Sequence, residues 1–250
     1  MGVNALHWYY LPLLGDTGEQ ASLTGDEWHH CFHVLRLEEG DDILVTDGKG
    51  KCFQGMIKTA SKHEGWISLT HDLKADFHNS RKYKVNIGIA PTKNIDRTEL
   101  AIEKLVEIGV DEICFLDCKH SERHHLRIDR MEKIMIAAAK QSRKINFPSL
   151  FDLTSPEKYA ERKRNDQVDV NILCCHLDGE TKSISENYLP GQDVVILIGP
   201  EGGFAKQEIE ALKTLNAKMT KLGPFRLRVE TAAITACADI HLLNELNYKK

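Results

Sequence analysis

The sequence predicts an α/β protein in which a small β-rich domain precedes a larger domain built on a parallel sheet. Up to residue 74, short alternating apolar runs are separated by turn clusters, a pattern typical of a small barrel. From residue 83 onward, apolar runs alternate with helical patterns, which predicts a parallel sheet covered by helices. Residues 75–82 have no apolar run and are predicted to be a linker. The predicted domains are therefore 1–74 and 83–250.

The composition indicates a folded protein in an aqueous compartment. The chain has 250 residues, of which 42% are hydrophobic and 28% charged, enough to bury a sizeable core. No apolar run approaches the roughly 20 residues of a membrane helix, and the first residues lack a signal peptide's basic region and cleavage site. We therefore expect a cytoplasmic protein. The seven cysteines are odd in number and most lie in apolar runs, which predicts buried thiols such as Cys114 and Cys118.

Positive charge is concentrated in the middle of the chain. The formal net charge is -4, which argues against a general nucleic-acid binder. Residues 119–144, however, hold 8 Lys and Arg against 3 Asp and Glu, whereas residues 1–74 hold 6 against 11. A basic segment of this kind is where a polyanion would bind. A solvated helix face is the alternative for any single residue in it.

The N-terminal elements are predicted from turn and cap signals. Asp26 is a candidate N-cap for a short helix that runs towards Val34,. Residues 43–46 and 66–70 alternate as strands do, and the cluster at 47–50 (Asp-Gly-Lys-Gly) predicts a hairpin,.

The C-terminal elements follow from apolar periodicity. Asp96 is predicted to cap a helix with Glu99 completing a capping box and Gly109 ending it,. Asp129 is predicted to cap a second helix. Further helices are expected at 156–164, from Lys206, and at 232–246. The predicted strands are 85–90, 113–116, 170–175, 194–198 and 218–222.

The segment from residue 194 to 233 has the most informative pattern. An apolar strand ends at Gly199-Pro200-Glu201-Gly202-Gly203, where three glycines allow tight backbone and a close ligand approach. A turn without a ligand is the alternative. A phosphate loop is disfavoured because Lys206 is not followed by Ser or Thr.

Several motifs in this chain resemble those of one enzyme family. GPEGGF at 199–204 is followed by LGPxxLRxETA at 222–232, and both are preceded by DRTELAIEKLVEIGVDEI at 96–113 and HVLRLEEGDDILVTDGKG at 33–50. In this order they resemble the RsmE family of ribosomal RNA methyltransferases, of the SPOUT class. The resemblance covers most of the chain. It implies a C-terminal SPOUT α/β trefoil-knot domain with a parallel sheet, preceded by a small PUA-like RNA-binding β-barrel domain.

The resemblance also implies an activity. It is transfer of a methyl group from S-adenosyl-L-methionine to N3 of a uridine in 16S ribosomal RNA of the small ribosomal subunit, without a metal. A transfer RNA methyltransferase of the same fold and a non-catalytic RNA-binding protein are the alternatives. A homodimer is implied as well, and the last helix is apolar around much of its circumference,.

Three loops are expected to hold the cofactor. They are residues 176–180, 199–203 and 222–228, each after a predicted parallel strand, so all three should meet at one edge of the sheet. The resemblance and this placement give the following expected cofactor-binding residues: Cys175, His176, Leu177, Gly199, Pro200, Glu201, Gly202, Gly203, Leu222, Gly223, Leu227, Arg228 and Thr231.

Catalysis needs a group that stabilises the uridine anion or accepts its proton. Arg228 is the candidate for the anion, and Glu230 or Glu201 could orient that arginine or act as the base. The alternative to a catalytic role is that Arg228 and Glu230 form an ion pair that only holds the loop in position. The residues expected to contact RNA are Arg36, Lys93, Arg97, Arg123, Arg143 and Arg226.

The chain departs from the family pattern at three places. Ala205 stands where Ser is common, which removes a helix-capping side chain at a cost of about 1 kcal/mol. Val229 replaces a Thr, and Phe225-Arg226 replaces Arg-Ile. These changes affect fine positioning rather than the presence of the predicted cofactor site.

Overall fold

The contacts of the chain divide it into two compact units. A computed structural model describes residues 6–77, 81–166, 169–177, 179 and 181–248. One unit consists of Met1–Ser80 together with Ala139–Phe147, and the other of Arg81–Ala138 with Pro148–Lys250.

The first unit is built on a five-stranded sheet in the order β1-β3-β4-β5-β2. The strands β2 to β5 pair antiparallel, and β1 pairs parallel with β3. The predicted hairpin is confirmed between β3 and β4, where Asp47 Oδ1 accepts hydrogen bonds from Lys49 N and Lys51 N at 2.7 and 2.9 Å. The strands are β1 Trp8–Tyr10, β2 Gln20–Thr24, β3 Asp42–Thr46, β4 Cys52–Ala60 and β5 Glu64–Asp72.

Two short helices accompany this sheet. Helix α1, Gly25–His29, continues as a π-helical turn, His30–Val34, so the predicted helix is present, although Thr24 rather than Asp26 is the N-cap residue. Helix α2, Lys74–Phe77, lies at the start of the predicted linker, where the Phe77 ring packs edge-on against Trp8 at 4.9 Å. Residues 78–80 of that linker lie outside the described residues, and the domain boundaries stay predictions.

A segment from the middle of the chain completes the first unit. Lys140 Nζ lies 2.6 Å from Glu27 Oε1, and the Phe147 ring lies 5.0 Å from that of Tyr10. Ile145 is buried in a cluster with Trp8 and its neighbours. The amino-acid pattern did not indicate this grouping, because residues 139–141 are the end of the helix Ile128–Gln141 and residues 142–147 continue directly from it.

The second unit contains a seven-stranded parallel sheet in the order β10-β12-β9-β11-β6-β7-β8. The middle strand β11 is apolar and buried throughout, as a strand covered on both faces must be. The parallel sheet predicted for this part of the chain is confirmed. Its strands are β6 Val85–Ile89, β7 Glu112–Leu116, β8 Ser149–Thr154, β9 Asn171–Cys175, β10 Lys182–Ser183, β11 Val194–Ile198 and β12 Lys218–Lys221.

The remaining helices are α3 Ile95–Ile108, α4 Ile128–Gln141, α5 Pro156–Asp166, α6 Ile184–Asn187, α7 Lys206–Thr214 and α8 Val229–Tyr248. They belong to the second unit, except that the last three residues of α4 are part of the first. Helix α8 begins three residues before the predicted start, so it includes Glu230 and Thr231. Helix α3 ends at Gly109 with φ 117°, as predicted. None of the helices within the described ranges has the length and apolar character to cross a membrane.

The predicted caps of α3 and α4 are wrong. Helix α3 is capped by Asn94, whose side chain accepts a hydrogen bond from Asp96 N at 3.1 Å. The capping box therefore does not form, and Glu99 instead pairs with Arg130 on α4, with 2.7 Å between Nε and Oε1. Asn is as good an N-cap as Asp, and sequence alone did not choose between them. Helix α4 likewise begins at Ile128, so Asp129 lies inside its first turn.

Candidate active site

A cavity of about 630 Å³ opens in the second unit where β9, β11 and β12 end. Its walls come from the three loops that follow these strands. Cys175, Gly202 and Leu227, one residue from each predicted loop region, all line it. The loops therefore converge at the carboxyl edge of the parallel sheet, where ligands of such sheets bind.

Two of the three glycines in the turn after β11, Gly199 and Gly202, have little room for a side chain, and the third has left-handed backbone. Gly203 has φ +73° and donates its N–H to Pro200 O at 2.8 Å, which closes the turn. A Cβ atom at Gly199 would lie 3.0 Å from the Phe204 ring, and one at Gly202 would lie 3.1 Å from His120 Cβ. The turn therefore presents bare backbone to the cavity.

Helix α7 begins directly after this turn, and Glu208 fixes its start. The buried Glu208 carboxylate accepts two backbone hydrogen bonds, from Ala205 N to Oε2 at 2.6 Å and from Lys119 N to Oε1 at 2.8 Å. The first bond is the reciprocal half of a capping box. The other hydrogen bond of a capping box, which a Ser side chain at position 205 would supply, is absent, as expected. The bond from Lys119 N connects the loop after β7 to the start of α7.

Two hydrogen bonds hold the loop at 222–228 in place. Arg226 Nη2 donates to Glu201 O at 2.7 Å, which joins this loop to the glycine turn. His176 N donates to Thr220 O at 2.9 Å, which joins the end of β9 to the end of β12. The loops are thus connected by one bond from a side chain and by one bond between backbones.

A buried carboxylate forms one wall of the cavity. The Glu230 side chain is 8% exposed, and its Oε1 lies 3.8 Å from Arg97 Nε on α3. Its Oε2 is buried without a hydrogen-bond partner. Among the described ion pairs, Glu230 is therefore matched with Arg97, and the pair with Arg228 that the sequence suggested does not form. Residues two apart at a helix start point in different directions.

Most of the expected cofactor-binding residues line the cavity. Gly223 and Thr231 do not, and Thr231 is exposed on α8. Asp178 and Glu180 of the first loop lie outside the described residues. Those that line the cavity are Cys175, His176, Leu177, Gly199, Pro200, Glu201, Gly202, Gly203, Leu222, Leu227 and Arg228.

The three catalytic candidates, Arg228, Glu230 and Glu201, also line the cavity. Arg228 is exposed, unlike Glu230. Glu201 Oε1 accepts a hydrogen bond from Lys93 N at 3.2 Å. The Glu201 carboxylate therefore lies next to the loop after β6.

The expected RNA-binding residues fall into three groups. Arg97 and Arg226 line the cavity. Lys93 and Arg123 lie beside it but are engaged, since Lys93 Nζ is 2.8 Å from Glu122 Oε2 and Arg123 Nη2 donates to Lys93 O at 2.8 Å. Arg36 and Arg143 belong to the first unit, and both have left-handed backbone, with φ 55° and 56°.

Sequence reasoning missed several lining residues. Ile198 and Thr220 are at strand ends, and this position could have identified them. Phe225 is 78% exposed at the cavity and stands where the sequence departs from the family pattern. The full set that was missed is Ile198, Phe204, Thr220, Lys221, Phe225, Val229 and Ala232.

Burial raises the thiol pKa of four cysteines in the second unit, namely Cys114, Cys118, Cys174 and Cys175. Cys114 and Cys118 are buried free thiols, as predicted. Burial, with a smaller contribution from Asp239, raises the pKa of the Cys175 thiol to about 12, so this cavity residue is not a nucleophile at neutral pH. No group of three His, Cys, Asp or Glu side chains in the described part of the chain is arranged to hold a metal ion.

Comparison with known proteins gives the same assignment for both parts of the chain. The family model described as an RNA methyltransferase domain matches residues 79–241, and that described as an RNA methyltransferase PUA domain matches residues 23–70. The parallel sheet, its cavity and the curled N-terminal sheet thus define the class as an α/β SPOUT RNA methyltransferase with a PUA-like domain, and the predicted fold class is confirmed.

Individual relatives narrow the assignment. Ribosomal RNA small subunit methyltransferase E of Rickettsia conorii is 30% identical over 218 residues, which cover 86% of each chain. The crystal structure of a probable rRNA-methyltransferase from Porphyromonas gingivalis is 35% identical, with a TM-score of 0.85 over 97% of this chain and 100% of that one. A Legionella pneumophila protein solved with the bound cofactor SAM is 25% identical, with a TM-score of 0.82 over 95% and 97%. The chain belongs to the ribosomal RNA small subunit methyltransferase E (RsmE) family.

Proposed function

We propose that this chain transfers a methyl group from S-adenosyl-L-methionine to N3 of a uridine in 16S ribosomal RNA. The observation that carries the proposal is the convergence of three strand-end loops, including the glycine turn, on one cavity. The small-subunit specificity in the name of the Rickettsia relative and the SAM in the Legionella structure support it.

The residues of the cavity fit this methyl donor. About 630 Å³ is within the usual range of ligand pockets, roughly 300–1,000 Å³,. Leu222, Leu227 and Ile198 provide apolar surface for an adenine ring, and the bare backbone at Gly199 and Gly202 leaves amide and carbonyl groups for its polar edge. When bound, the donor supplies an electrophilic methyl group on a sulfonium.

The remaining task is to activate the uridine. N3 of uracil carries a proton at neutral pH and lies in the base-pairing edge, so the base must be unpaired or flipped out. Arg228 is exposed at the cavity and can stabilise the negative charge that develops on the uracil oxygens. Glu201 and Glu230 are the carboxylates available to orient an arginine or to accept the proton, and positioned groups of this kind contribute about 10²–10⁴-fold.

The RNA is proposed to reach the cavity across the cationic residues around it. Arg97 and Arg226 line the cavity, with Lys93 and Arg123 beside it. Arg36 and Arg143 are separate RNA contacts proposed for the PUA-like unit. We further propose that the substrate is the RNA of the small ribosomal subunit in the cytoplasm. A homodimer is proposed because Ala238, Leu242 and Leu246 on α8 are exposed apolar side chains.

A labelling experiment tests this function. The protein is incubated with methyl-labelled S-adenosylmethionine and small-subunit particles from a strain that lacks the modification. The expected product is one uridine methylated at N3. Label in transfer RNA alone would identify a transfer RNA enzyme. Absence of label from particles, naked ribosomal RNA and transfer RNA, together with no calorimetric binding of the donor, would indicate a non-catalytic RNA-binding protein.

A further inference from the structure

The cavity contains an acceptor that the protein itself leaves unsatisfied. Glu230 lines the cavity with a side chain that is 8% exposed, and its Oε2 has no hydrogen-bond partner. A buried carboxylate oxygen without a donor is costly, by about 1–3 kcal/mol or more. A buried group left unpaired in a native structure calls for an explanation, and a catalytic role is one such explanation.

A donor stands next to this acceptor. Arg97 Nε lies 3.8 Å from Glu230 Oε1, beyond hydrogen-bond length. Arg97 also lines the cavity, and its side chain is 38% exposed. The two side chains come from α3 and α8, which pack against each other. They thus present a fixed acceptor and an available guanidinium side by side.

We propose that Arg97 and Glu230 together recognise the imide edge of the target uracil, with Glu230 Oε2 accepting the N3–H and Arg97 donating to an adjacent carbonyl oxygen. The uracil edge alternates acceptor, donor and acceptor (O4, N3–H and O2), so an acceptor beside a donor is complementary to two neighbouring groups on it. This inference rests on the proposed function and deepens it by naming the proton acceptor and a second substrate-contacting arginine.

The same pair gives a balanced reaction step. The N3–H bond breaks first and the proton passes to Glu230 Oε2, and the electron pair left on N3 then forms the bond to the methyl carbon. The carbon–sulfur bond breaks and its electrons stay on sulfur as a neutral thioether. Glu230 then releases the proton to solvent, and Arg97 stabilises the charge that builds on the carbonyl oxygen during the transfer.

The pair also selects against cytosine. N3 of cytosine carries no proton and is itself an acceptor, so it would face Glu230 Oε2 with like partial charge and leave that oxygen without a donor. Leaving buried polar groups unpaired in this way is how sites of this kind reject the wrong substrate.

Two variants and two matched controls test the inference. Glu230→Gln keeps the size of the side chain but cannot hold the proton, and Arg97→Ala removes the donor. The controls lie outside the cavity and are Glu210→Gln, exposed on α7, and Lys104→Ala, half-buried on α3. For each protein we would measure calorimetric binding of S-adenosylhomocysteine, thermal unfolding, and kcat and KM on unmodified small-subunit particles.

The expected results separate recognition from packing. Glu230→Gln should lower kcat by at least about 100-fold and bind S-adenosylhomocysteine within threefold of wild type. It should unfold close to the wild-type Tm, because the amide keeps the size of the side chain and the 3.8 Å contact with Arg97 is longer than a hydrogen bond,. Arg97→Ala should raise KM for particles about tenfold and lower kcat, with partial recovery in Arg97→Lys. The controls should match wild type.

Other outcomes would overturn the inference. If wild type methylates particles and Glu230→Gln keeps more than about a tenth of its kcat, or unfolds several degrees lower with normal kcat, Glu230 is only a structural partner of Arg97. If either variant loses S-adenosylhomocysteine binding, the pair belongs to the donor site instead. If wild type itself labels no RNA, the proposed function fails first, and this inference with it.

Discussion

Arg226 Nη2 donates a hydrogen bond to Glu201 O over 2.7 Å, and this bond joins two of the three loops around the cavity. The sequence predicted Arg226 as an RNA-binding residue. Its Nη2 group instead connects the loop at 222–228 to the glycine turn, although Arg226 as a whole is exposed.

Removal of the hydrogen bond between Arg226 and Glu201 should weaken binding of the methyl donor. Arg226→Ala loses a charge-assisted hydrogen bond at an exposed position, worth about 1 kcal/mol, which corresponds to roughly fivefold weaker binding of S-adenosylhomocysteine. Calorimetry measures it, with exposed Lys206→Ala as the control. Arg226→Lys should recover only part of the affinity because it lacks the planar fork. Unchanged affinity of Arg226→Ala for S-adenosylhomocysteine would show that this hydrogen bond does not order the loop at 222–228.

The glycine turn should tolerate a methyl group poorly. Gly203 has φ +73°, and its replacement by Ala costs about 1 kcal/mol for left-handed backbone,. Gly18 in the first unit has φ +91° with open space around it, so Gly18→Ala is a matched control. Both variants should unfold at lower temperature, whereas only Gly203→Ala should weaken donor binding, by about fivefold or more. Equal affinities for the two variants would argue against a role for the turn.

A serine at position 205 should stabilise the protein. Ala205 is the N-cap residue of α7 with extended backbone, φ -70° and ψ 156°, and Glu208 already supplies the reciprocal bond. Ala205→Ser completes the capping box and should add about 1 kcal/mol, or about 2–4 °C in Tm. Ala205→Gly changes the backbone without adding a cap and should gain less. A lower Tm for the serine variant would mean that its hydroxyl does not fit the buried site.

Cys175 should react slowly with alkylating agents at neutral pH. Its pKa is raised to about 12, chiefly by burial, so the thiolate fraction at pH 8 is about 10⁻⁴. Because the folded pKa is raised, the alkylation rate should increase about tenfold per pH unit from 7 to 10 without a plateau. Peptide mapping by mass spectrometry measures the rate at Cys175, with free cysteine as reference. A plateau near pH 9 would contradict the raised pKa.

The buried strands were predictable because their composition leaves few alternatives. Val194–Ile198 is apolar at every position, and Val85–Ile89 and Asn171–Cys175 are nearly so, as a doubly covered parallel strand requires. The edge strand Ser149–Thr154 was missed because its side chains are largely exposed. The two-residue strand Lys182–Ser183 and the helix Ile184–Asn187 are too short to give a periodic signal.

The site was predictable at the level of loops but not of side-chain partners. Glycines and prolines mark where strands end, and parallel topology brings those ends together, so the cavity walls at 199–203 and 222–228 could be anticipated. The pairing of Glu230 with Arg97 could not, since it depends on how α3 packs against α8. Nor could sequence choose Asn94 over Asp96 as the cap of α3.

The most direct test of the account is a crystal structure with S-adenosylhomocysteine bound. The account predicts the nucleoside inside the cavity, in contact with the backbone of residues 199–203 and with Leu222 and Leu227, and with its sulfur facing the side of the cavity that holds Glu230. A nucleoside bound elsewhere on the chain, or a cavity from which residues 176, 202 and 227 do not reach the ligand together, would contradict it.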